Sequence, residues 1–186
     1  MNGEKAKMLR GELYNPLDPE LVAERQRARQ LFKSLNDSSV DRVATRLQLI
    51  QALIPRSGQN VWIEPPFYCD YGSNITLGDR VYFNFNCTIL DVAPVTIGAD
   101  VKFGPGVHLY TAAHPIDSAE RKSGLEFGRP IEIGADTWIG GGAIICPGVT
   151  IGERSVVGAG SVVTKNLPAD VVAVGNPCRV IRSIGS

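Results

Sequence analysis

The chain has 186 residues, of which 44% are hydrophobic and 20% charged, a balance that allows one folded domain with an apolar core. Its 19 basic and 19 acidic side chains cancel, so it lacks the basic excess with which proteins bind a nucleic-acid backbone. The charged N-terminus has no apolar segment typical of a signal peptide, and glycines interrupt the apolar runs before they could span a membrane. We therefore expect a cytoplasmic protein that binds neither nucleic acid nor a membrane.

The cysteine and histidine pattern argues against a metal site. The four cysteines are widely spaced and form no C-x-x-C pair, and the chain has only two histidines. We expect the cysteines to be free thiols buried as small hydrophobic side chains, as in a reducing cytosol: Cys69, Cys87, Cys146 and Cys178.

Residues 1–57 have the pattern of an α-helical segment. Asp18-Pro19-Glu20 is a helix start, and the helix that it predicts ends near Asn36. Its apolar stripe, with one Arg interruption, comprises Leu21, Arg25, Ala28, Leu31, Phe32 and Leu35. Ser39 is the predicted N-cap of a second helix, which Pro55 ends. The stripe of that helix comprises Val40, Val43, Ala44, Leu47, Ile50 and Ile54.

Residues 58–186 follow a six-residue period. A branched aliphatic residue, usually followed by glycine, recurs at Ile133, Ile139, Ile145, Ile151, Val157 and Val163. The same spacing occurs earlier at Leu77, Phe83 and Ile89, and at Ile97, Phe103 and Leu109. Such a period suits a short strand followed by a corner, with three of these units closing a triangular coil. The sequence therefore predicts stacked coils around an aliphatic column, with a C-terminal tail.

Several motifs resemble those of hexapeptide-repeat acyltransferases, and more closely the maltose and galactoside O-acetyltransferases. They are G-E-L-Y-N, Y-G-S-N-I-T-L-G, F-N-F-N-C-T-I-L-D-V, Y-T-A-A-H-P-I-D, I-I-C-P-G-V-T-I-G, V-G-A-G-S-V-V-T-K and G-N-P-C-R-V-I. The resemblance implies a mainly β fold, a left-handed parallel β-helix with a small N-terminal helical segment. It also implies acetyl-CoA as co-substrate, no permanently bound cofactor, and a homotrimer with active sites between neighbouring subunits.

The repeats are interrupted over residues 110–129, which predicts a loop that leaves the β-helix. This loop contains His114, whose imidazole can accept a proton near neutral pH, as transfer to a hydroxyl requires. An exposed histidine without a role is the alternative, and the resemblance favours a catalytic base. His108 lies inside a regular repeat and is interpreted as a wall residue.

A catalytic base needs an orienting partner, for which Glu126 and Asp91 are the candidates. Glu126 could instead be a solvated acid, and Asp91 could be a corner residue or a contact to the acceptor sugar. For that acceptor, the resemblance indicates Tyr82 and Asn84, which alternate with an inward residue and should point outward. It also indicates, less directly, Tyr14 and Asp18.

The predicted coenzyme A site lies in the C-terminal coils. Trp138 alternates with an inward residue and should be exposed, and the Gly141 backbone N–H is the expected oxyanion donor by resemblance. The cations suited to phosphates are Lys165, preceded by Thr164, and Arg179 and Arg182. By resemblance, the backbone at Gly142, Ala159 and Gly160 lines the pantetheine groove together with that of Gly141.

These features together predict transfer of an acetyl group from acetyl-CoA to a hydroxyl of maltose or glucose, the 6-hydroxyl by resemblance. Galactosides or other oligosaccharides are alternative acceptors, and a β-helix scaffold without activity is a further alternative. A zinc enzyme on the same fold would need three histidines, and this chain has two.

Overall fold

The computed structural model describes residues 3–185, and most of them wind into a left-handed parallel β-helix that is preceded by helices. The predicted fold class is confirmed. The helices are α1 (Glu4–Leu9), α2 (Pro19–Asn36), α3 (Val43–Leu53) and the short α4 (Ser118–Arg121). Within residues 3–185, no helix is both long enough and apolar enough to cross a membrane.

The β-helix has three walls, each a sheet of stacked strands. The first wall contains β1 (Arg56–Ser57), β4 (Ile75–Leu77), β7 (Val95–Ile97), β12 (Ile131–Ile133) and β15 (Thr150–Ile151). The second contains β2 (Trp62–Ile63), β5 (Tyr82–Phe83), β8 (Lys102–Phe103), β13 (Trp138–Ile139), β16 (Val156–Val157), β18 (Val171–Val174) and β19 (Arg179–Ser183). The third contains β3 (Phe67–Cys69), β6 (Cys87–Leu90), β9 (His108–Tyr110), β14 (Ile144–Ile145) and β17 (Val162–Val163).

Within the three walls the strands pair in parallel, except that β19 returns antiparallel to β18. β1 already pairs with β4, so the β-helix includes residues just before the predicted boundary at 57/58.

The inward positions form continuous columns because equivalent residues of successive coils pair in register. In the first wall, Leu77 pairs with Ile97, which pairs with Ile133. In the second wall, the stacked rings of Phe83 and Phe103 lie 4.3 Å apart. Every aliphatic and aromatic residue of the predicted six-residue series is buried. Their removal from water supplies the main driving force for stacking the coils.

The corner glycines are needed because consecutive coils touch there. A Cβ on Gly104 would lie 2.5 Å from the amide nitrogen of Gly141, and one on Gly140 would lie 2.5 Å from that of Ala159. Contacts this short would push the coils apart. Glycine is therefore required at these two positions of the corner between the second and third walls.

The N-terminal helices agree with the sequence prediction in part. Asp18 caps α2 by accepting a hydrogen bond of 3.0 Å from the Glu20 N–H, as predicted, and Leu21, Ala28 and Leu35 are buried. The short helix α1 was not predicted. Its Met8 packs in a small second core beneath the N-terminal segment, formed by Met8, Tyr14, Leu21, Tyr71 and Val92.

The prediction for α3 was wrong about its start and about part of its buried face, although Ile50 and Ile54 are buried as predicted. Ser39 is not the cap, because the helix begins at Val43, and Val40 is 78% exposed. The buried face instead includes Arg46, whose guanidinium donates to the Ser38 carbonyl at 3.1 Å and to its hydroxyl at 3.0 Å. This buried arginine holds the turn that precedes the helix, which apolar spacing alone does not reveal.

Candidate active site

The loop over residues 110–129 leaves the β-helix after the third wall, as the broken repeat predicts. Its base is closed by two short strands, β10 (Ala112–Ala113) and β11 (Phe127–Gly128), which pair antiparallel. Asp117 caps α4 inside the loop by accepting from two backbone N–H groups. The loop therefore has a defined structure, in which the pairing of β10 with β11 holds its two ends together next to His114.

The loop brings His114 and Glu126 together. The Nε2 atom of His114 lies 3.8 Å from Oε2 of Glu126, an ion-pair distance rather than a hydrogen bond. The histidine side chain is 55% exposed and the glutamate 16% exposed. Catalytic hydrogen bonds are often longer before substrate binds, so this geometry suits a base and its orienting carboxylate.

The other oxygen of Glu126 is held by the N-terminal segment. The Tyr14 hydroxyl donates a hydrogen bond to Oε1 of Glu126. The two residues also exchange backbone hydrogen bonds of 3.0 and 3.2 Å, an isolated antiparallel bridge. Tyr14 is fully buried, and this burial, with the bond to Glu126, raises the pKa of its hydroxyl, which stays a donor. The sequence analysis placed Tyr14 over the sugar site; the structure shows its hydroxyl on Glu126.

Asp70 is a carboxylate near Glu126 that the sequence analysis missed. Burial and the negative charge of Glu126 raise the pKa of Asp70 to about 6, while Arg25 and Arg29 oppose this shift. Within residues 3–185, no donor contacts its side-chain oxygens. Phe67 and Cys69 are buried and alternate with outward residues along β3. The same alternation places Asp70, directly after the strand, on the outside, and this pattern in the sequence could have indicated it.

The structure contradicts a direct role of Asp91 at the site. Asp91 is fully buried, so it can be neither a contact to an acceptor sugar nor the partner of His114. Its carboxylate accepts the backbone N–H groups of Asp70 at 3.0 Å, Tyr71 at 2.9 Å and Asn74 at 3.3 Å. It is therefore a corner residue, the alternative that the sequence left open, and it holds the turn that carries Asp70.

A second group of predicted residues lies on the second wall and at the corner that follows it. Tyr82 and Trp138 both face outward on this wall, in register with Lys102 between them, and Trp138 is 58% exposed. Asn84 begins the corner, and its side-chain oxygen accepts the Phe85 N–H at 2.8 Å.

Gly141 lies at the same corner one coil above Gly104. Its carbonyl accepts the Gly160 N–H at 2.9 Å. Among the residues that the structure describes, no acceptor contacts the amides of Gly141 and Ala159, which therefore stay available as donors. Gly142 donates its own amide to Pro105 at 2.8 Å.

The remaining predicted coenzyme A residues are exposed but dispersed. Thr164 and Lys165 follow β17, at the corner between the third and first walls. Arg179 and Arg182 lie on β19, at the end of the second wall. One chain therefore does not gather these cations at a single point.

Two further candidate residues, Asp18 and His108, have structural positions. Asp18 is half-buried and already engaged as the cap of α2. His108 lies in the third wall between Thr88 and Ile144, as predicted for a wall residue, and its buried Nδ1 has no hydrogen-bond partner among residues 3–185. In the same part of the chain, no three His, Cys, Asp or Glu side chains gather as they would around a metal ion.

Two family models match the chain. Residues 7–58 match the maltose acetyltransferase hexapeptide capping motif, and residues 130–165 match the bacterial transferase hexapeptide with six repeats. With the β-helix and its exposed histidine loop, these matches define a hexapeptide-repeat acetyltransferase.

Comparison with individual relatives identifies the family of this chain within the hexapeptide-repeat acetyltransferases. Galactoside O-acetyltransferase of Escherichia coli K12 is 46% identical over 94% of this chain and 86% of its own length. The crystal structure of a maltose O-acetyltransferase from Clostridium difficile 630 is 46% identical, with a TM-score of 0.98 over 99% of this chain and 98% of that one. A galactoside acetyltransferase in complex with coenzyme A is 43% identical, with a TM-score of 0.96 over 100% and 92%. The chain belongs to the maltose and galactoside O-acetyltransferase family of acyltransferases.

The buried Asp91 generates a prediction about stability. Burial raises the pKa of Asp91 to about 7, above its ordinary value, although the backbone N–H groups oppose the shift. A carboxyl whose pKa is raised by folding stabilises the folded state at low pH and loses that contribution as pH rises through the folded pKa. The free energy of unfolding should therefore fall between about pH 4, near the ordinary pKa of an aspartate, and about pH 7, by up to about 1.4 kcal/mol per pH unit.

Asp91→Asn keeps an acceptor oxygen and removes the charge, so it should flatten this slope in urea unfolding. Asp100→Asn is the control, because Asp100 is paired with Arg80, which lowers its pKa below this window. An unchanged slope in Asp91→Asn would show that the carboxylate is ionised in the fold throughout this range.

Proposed function

We propose that the chain transfers an acetyl group from acetyl-CoA to a sugar hydroxyl, the 6-hydroxyl of maltose or glucose, with His114 as general base. The observation that carries this proposal is the pair of His114 and Glu126 on a structured loop, 3.8 Å apart. The printed names of the relatives, which include acetyltransferases of both sugars and a complex with coenzyme A, support the substrate class.

In the proposed reaction, His114 accepts the proton of the sugar hydroxyl while the hydroxyl oxygen attacks the thioester carbonyl carbon. The C–O bond forms, the carbonyl becomes an oxyanion, and its collapse breaks the C–S bond. The imidazolium returns the proton to the leaving thiolate of coenzyme A. Because Nε2 faces Glu126, Nδ1 is the nitrogen left for the substrate, and the carboxylate stabilises the imidazolium that forms.

The proposed oxyanion donor is the Gly141 amide. In residues 3–185 it has no acceptor of its own, and a glycine without a side chain lets a thioester approach the backbone closely. The equivalent amide of Ala159, one coil above, is also free to donate within the described structure. The two amides are therefore candidates for the carbonyl groups of acetyl-CoA.

Polar groups with unused hydrogen-bonding capacity support a sugar acceptor. Asp70 carries a carboxylate near Glu126 that accepts no hydrogen bond from the described residues. Among residues 3–185, Asn84 uses only its side-chain oxygen, which leaves its amide NH₂ for a hydroxyl. We propose these two groups as acceptor contacts, together with Tyr82, which faces outward on β5 of the second wall, and Asp18 at the start of α2.

We propose that coenzyme A binds along the corner of Gly141 and Ala159, with Trp138 against it. Its phosphates and diphosphate would meet cations in the last coils. The exposed cations available for these phosphates are Lys165, Arg179 and Arg182, and the exposed Thr164 adds a hydroxyl donor.

We further propose a homotrimer whose active sites lie between chains. The loop that carries His114 leaves the β-helix after the third wall, whereas Gly141 lies at the corner before the third wall. Within one coil, the third wall therefore separates the base from the proposed amide donor. Apolar side chains are also exposed at both places, with Trp138 58% and Ile116, in the loop, 95% exposed. A neighbouring copy that covers these side chains would bring the base of one chain to the amide donor of another.

His114→Ala should abolish acetyl transfer, because loss of a general base costs about 10²–10⁴ in rate. The affinity for coenzyme A should stay nearly unchanged, since the base acts on the acceptor. His108→Ala is the control and should reduce turnover far less. Steady-state kinetics and calorimetry with coenzyme A check both. A His114→Ala variant with more than about a tenth of wild-type turnover would exclude His114 as the base, whereas absence of turnover in the wild-type protein would favour a scaffold role.

The acceptor is tested by kcat/KM for glucose, maltose and a galactoside at saturating acetyl-CoA. We expect glucose or maltose to be preferred, because the G-E-L-Y-N and Y-T-A-A-H-P-I-D segments resemble the maltose acetyltransferases more closely. Two epimers differ in the position of one hydroxyl, which decides whether buried polar groups such as Asp70 find a hydrogen-bond partner. A missing partner can lower kcat/KM strongly. A clear preference for the galactoside would assign the chain to the other acceptor, which its similarity to galactoside acetyltransferases allows.

A further inference from the structure

Tyr14 lies outside both the loop and the β-helix, and yet its hydroxyl contacts the carboxylate that faces His114. We propose that Tyr14 is a positioning residue for the transfer reaction: its hydroxyl fixes Glu126 so that the second carboxylate oxygen faces the base. The inference rests on the proposed function of His114. It gives the N-terminal segment a part in catalysis in addition to covering the end of the β-helix.

The geometry divides the two oxygens of Glu126 between two partners. Oε1 accepts from the Tyr14 hydroxyl, and Oε2 lies 3.8 Å from Nε2 of His114. The backbone bridge between Tyr14 and Glu126 sets the distance between the two main chains. A carboxylate rotates about its last side-chain bond with little resistance, so a donor on one oxygen fixes the direction of the other.

Tyr14 is a rigid donor. Its ring is fully buried in the small core with Met8, Leu21, Tyr71 and Val92. Burial raises the pKa of the hydroxyl, so it remains protonated wherever the enzyme is folded. Such a donor loses little conformational entropy on bonding Glu126, because the ring is already held by packing.

Glu126 needs a restraint because it has a like-charged neighbour. The charge of Glu126 helps to raise the pKa of Asp70 to about 6, which shows that the two carboxylates interact. The nearby Arg25 is engaged elsewhere, since it donates to the Tyr71 hydroxyl at 2.6 Å and to the Pro16 carbonyl. The repulsion between Asp70 and Glu126 is therefore offset by the hydrogen bond that the neutral Tyr14 hydroxyl donates to Glu126. During the reaction, the imidazolium of His114 offsets it further.

Tyr14→Phe removes the hydroxyl and keeps the ring. We expect kcat to fall about tenfold, the size expected when a hydrogen bond to a charged group is lost, with KM for acetyl-CoA and the sugar changed less than about twofold. Tyr71→Phe is the matched control, because Tyr71 is equally buried and also loses a charged hydrogen bond, the one with Arg25. It should lower stability comparably and change kcat less than about twofold.

A double-mutant cycle shows whether Tyr14 acts through Glu126. In a Glu126→Ala background, Tyr14→Phe should change kcat less than about twofold, since the carboxylate that it orients is absent. Full additivity of the two substitutions, or wild-type kcat in Tyr14→Phe, would overturn the positioning role. An equal loss in Tyr71→Phe would do the same, because it would reveal a general effect of stability.

The His114→Ala variant in the same assay separates this inference from the proposed function. If His114→Ala stays active, the assignment of the base fails, and with it the role of Tyr14. If His114 is required and Tyr14→Phe is fully active, only the positioning role fails.

Discussion

The coils of the β-helix place apolar side chains inward, and at several corners only glycine fits, because the next coil stacks directly on it. The Cβ distances at Gly104 and Gly140 show how little room this contact leaves. Segments that do not fit the repeat must leave the stack, and residues 110–129 do so. Outside the stack, the loop needs other restraints, which it obtains from the pairing of β10 with β11 and from the bridge between Tyr14 and Glu126.

The same constraint separates the chemical groups of the proposed site. The coils supply fixed backbone donors such as the Gly141 amide, and they also bury Asp91, whose carboxylate holds the turn of Asp70 instead of a substrate. The loop supplies groups that titrate and move protons, His114 and Glu126. In the proposed trimer these two kinds of group meet between neighbouring chains, so assembly would complete the site.

Positions that recur with one period could be predicted from the sequence, whereas contacts between residues far apart in the chain could not. The inward columns and the stripe of α2 were predicted because each position recurs with one period. His114 was found because it lies where the period breaks. The bond from Tyr14 to Glu126 joins residues 112 positions apart and leaves no periodic signal. The start of α3 was predicted wrongly because its N-cap, Arg42, makes no side-chain capping hydrogen bond and so leaves no signal in the sequence. The corner position of Asp91 could not be chosen among the alternatives because its partners are backbone N–H groups.

A crystal structure of the chain with coenzyme A and maltose tests the shared catalytic site most directly. We expect an acceptor hydroxyl about 3 Å from a ring nitrogen of His114, with Glu126 on the other nitrogen. We expect the coenzyme A sulfur of the same site to lie beside Gly141 of a neighbouring copy. A sugar bound away from His114, or coenzyme A and His114 meeting within one chain, would contradict the proposed site.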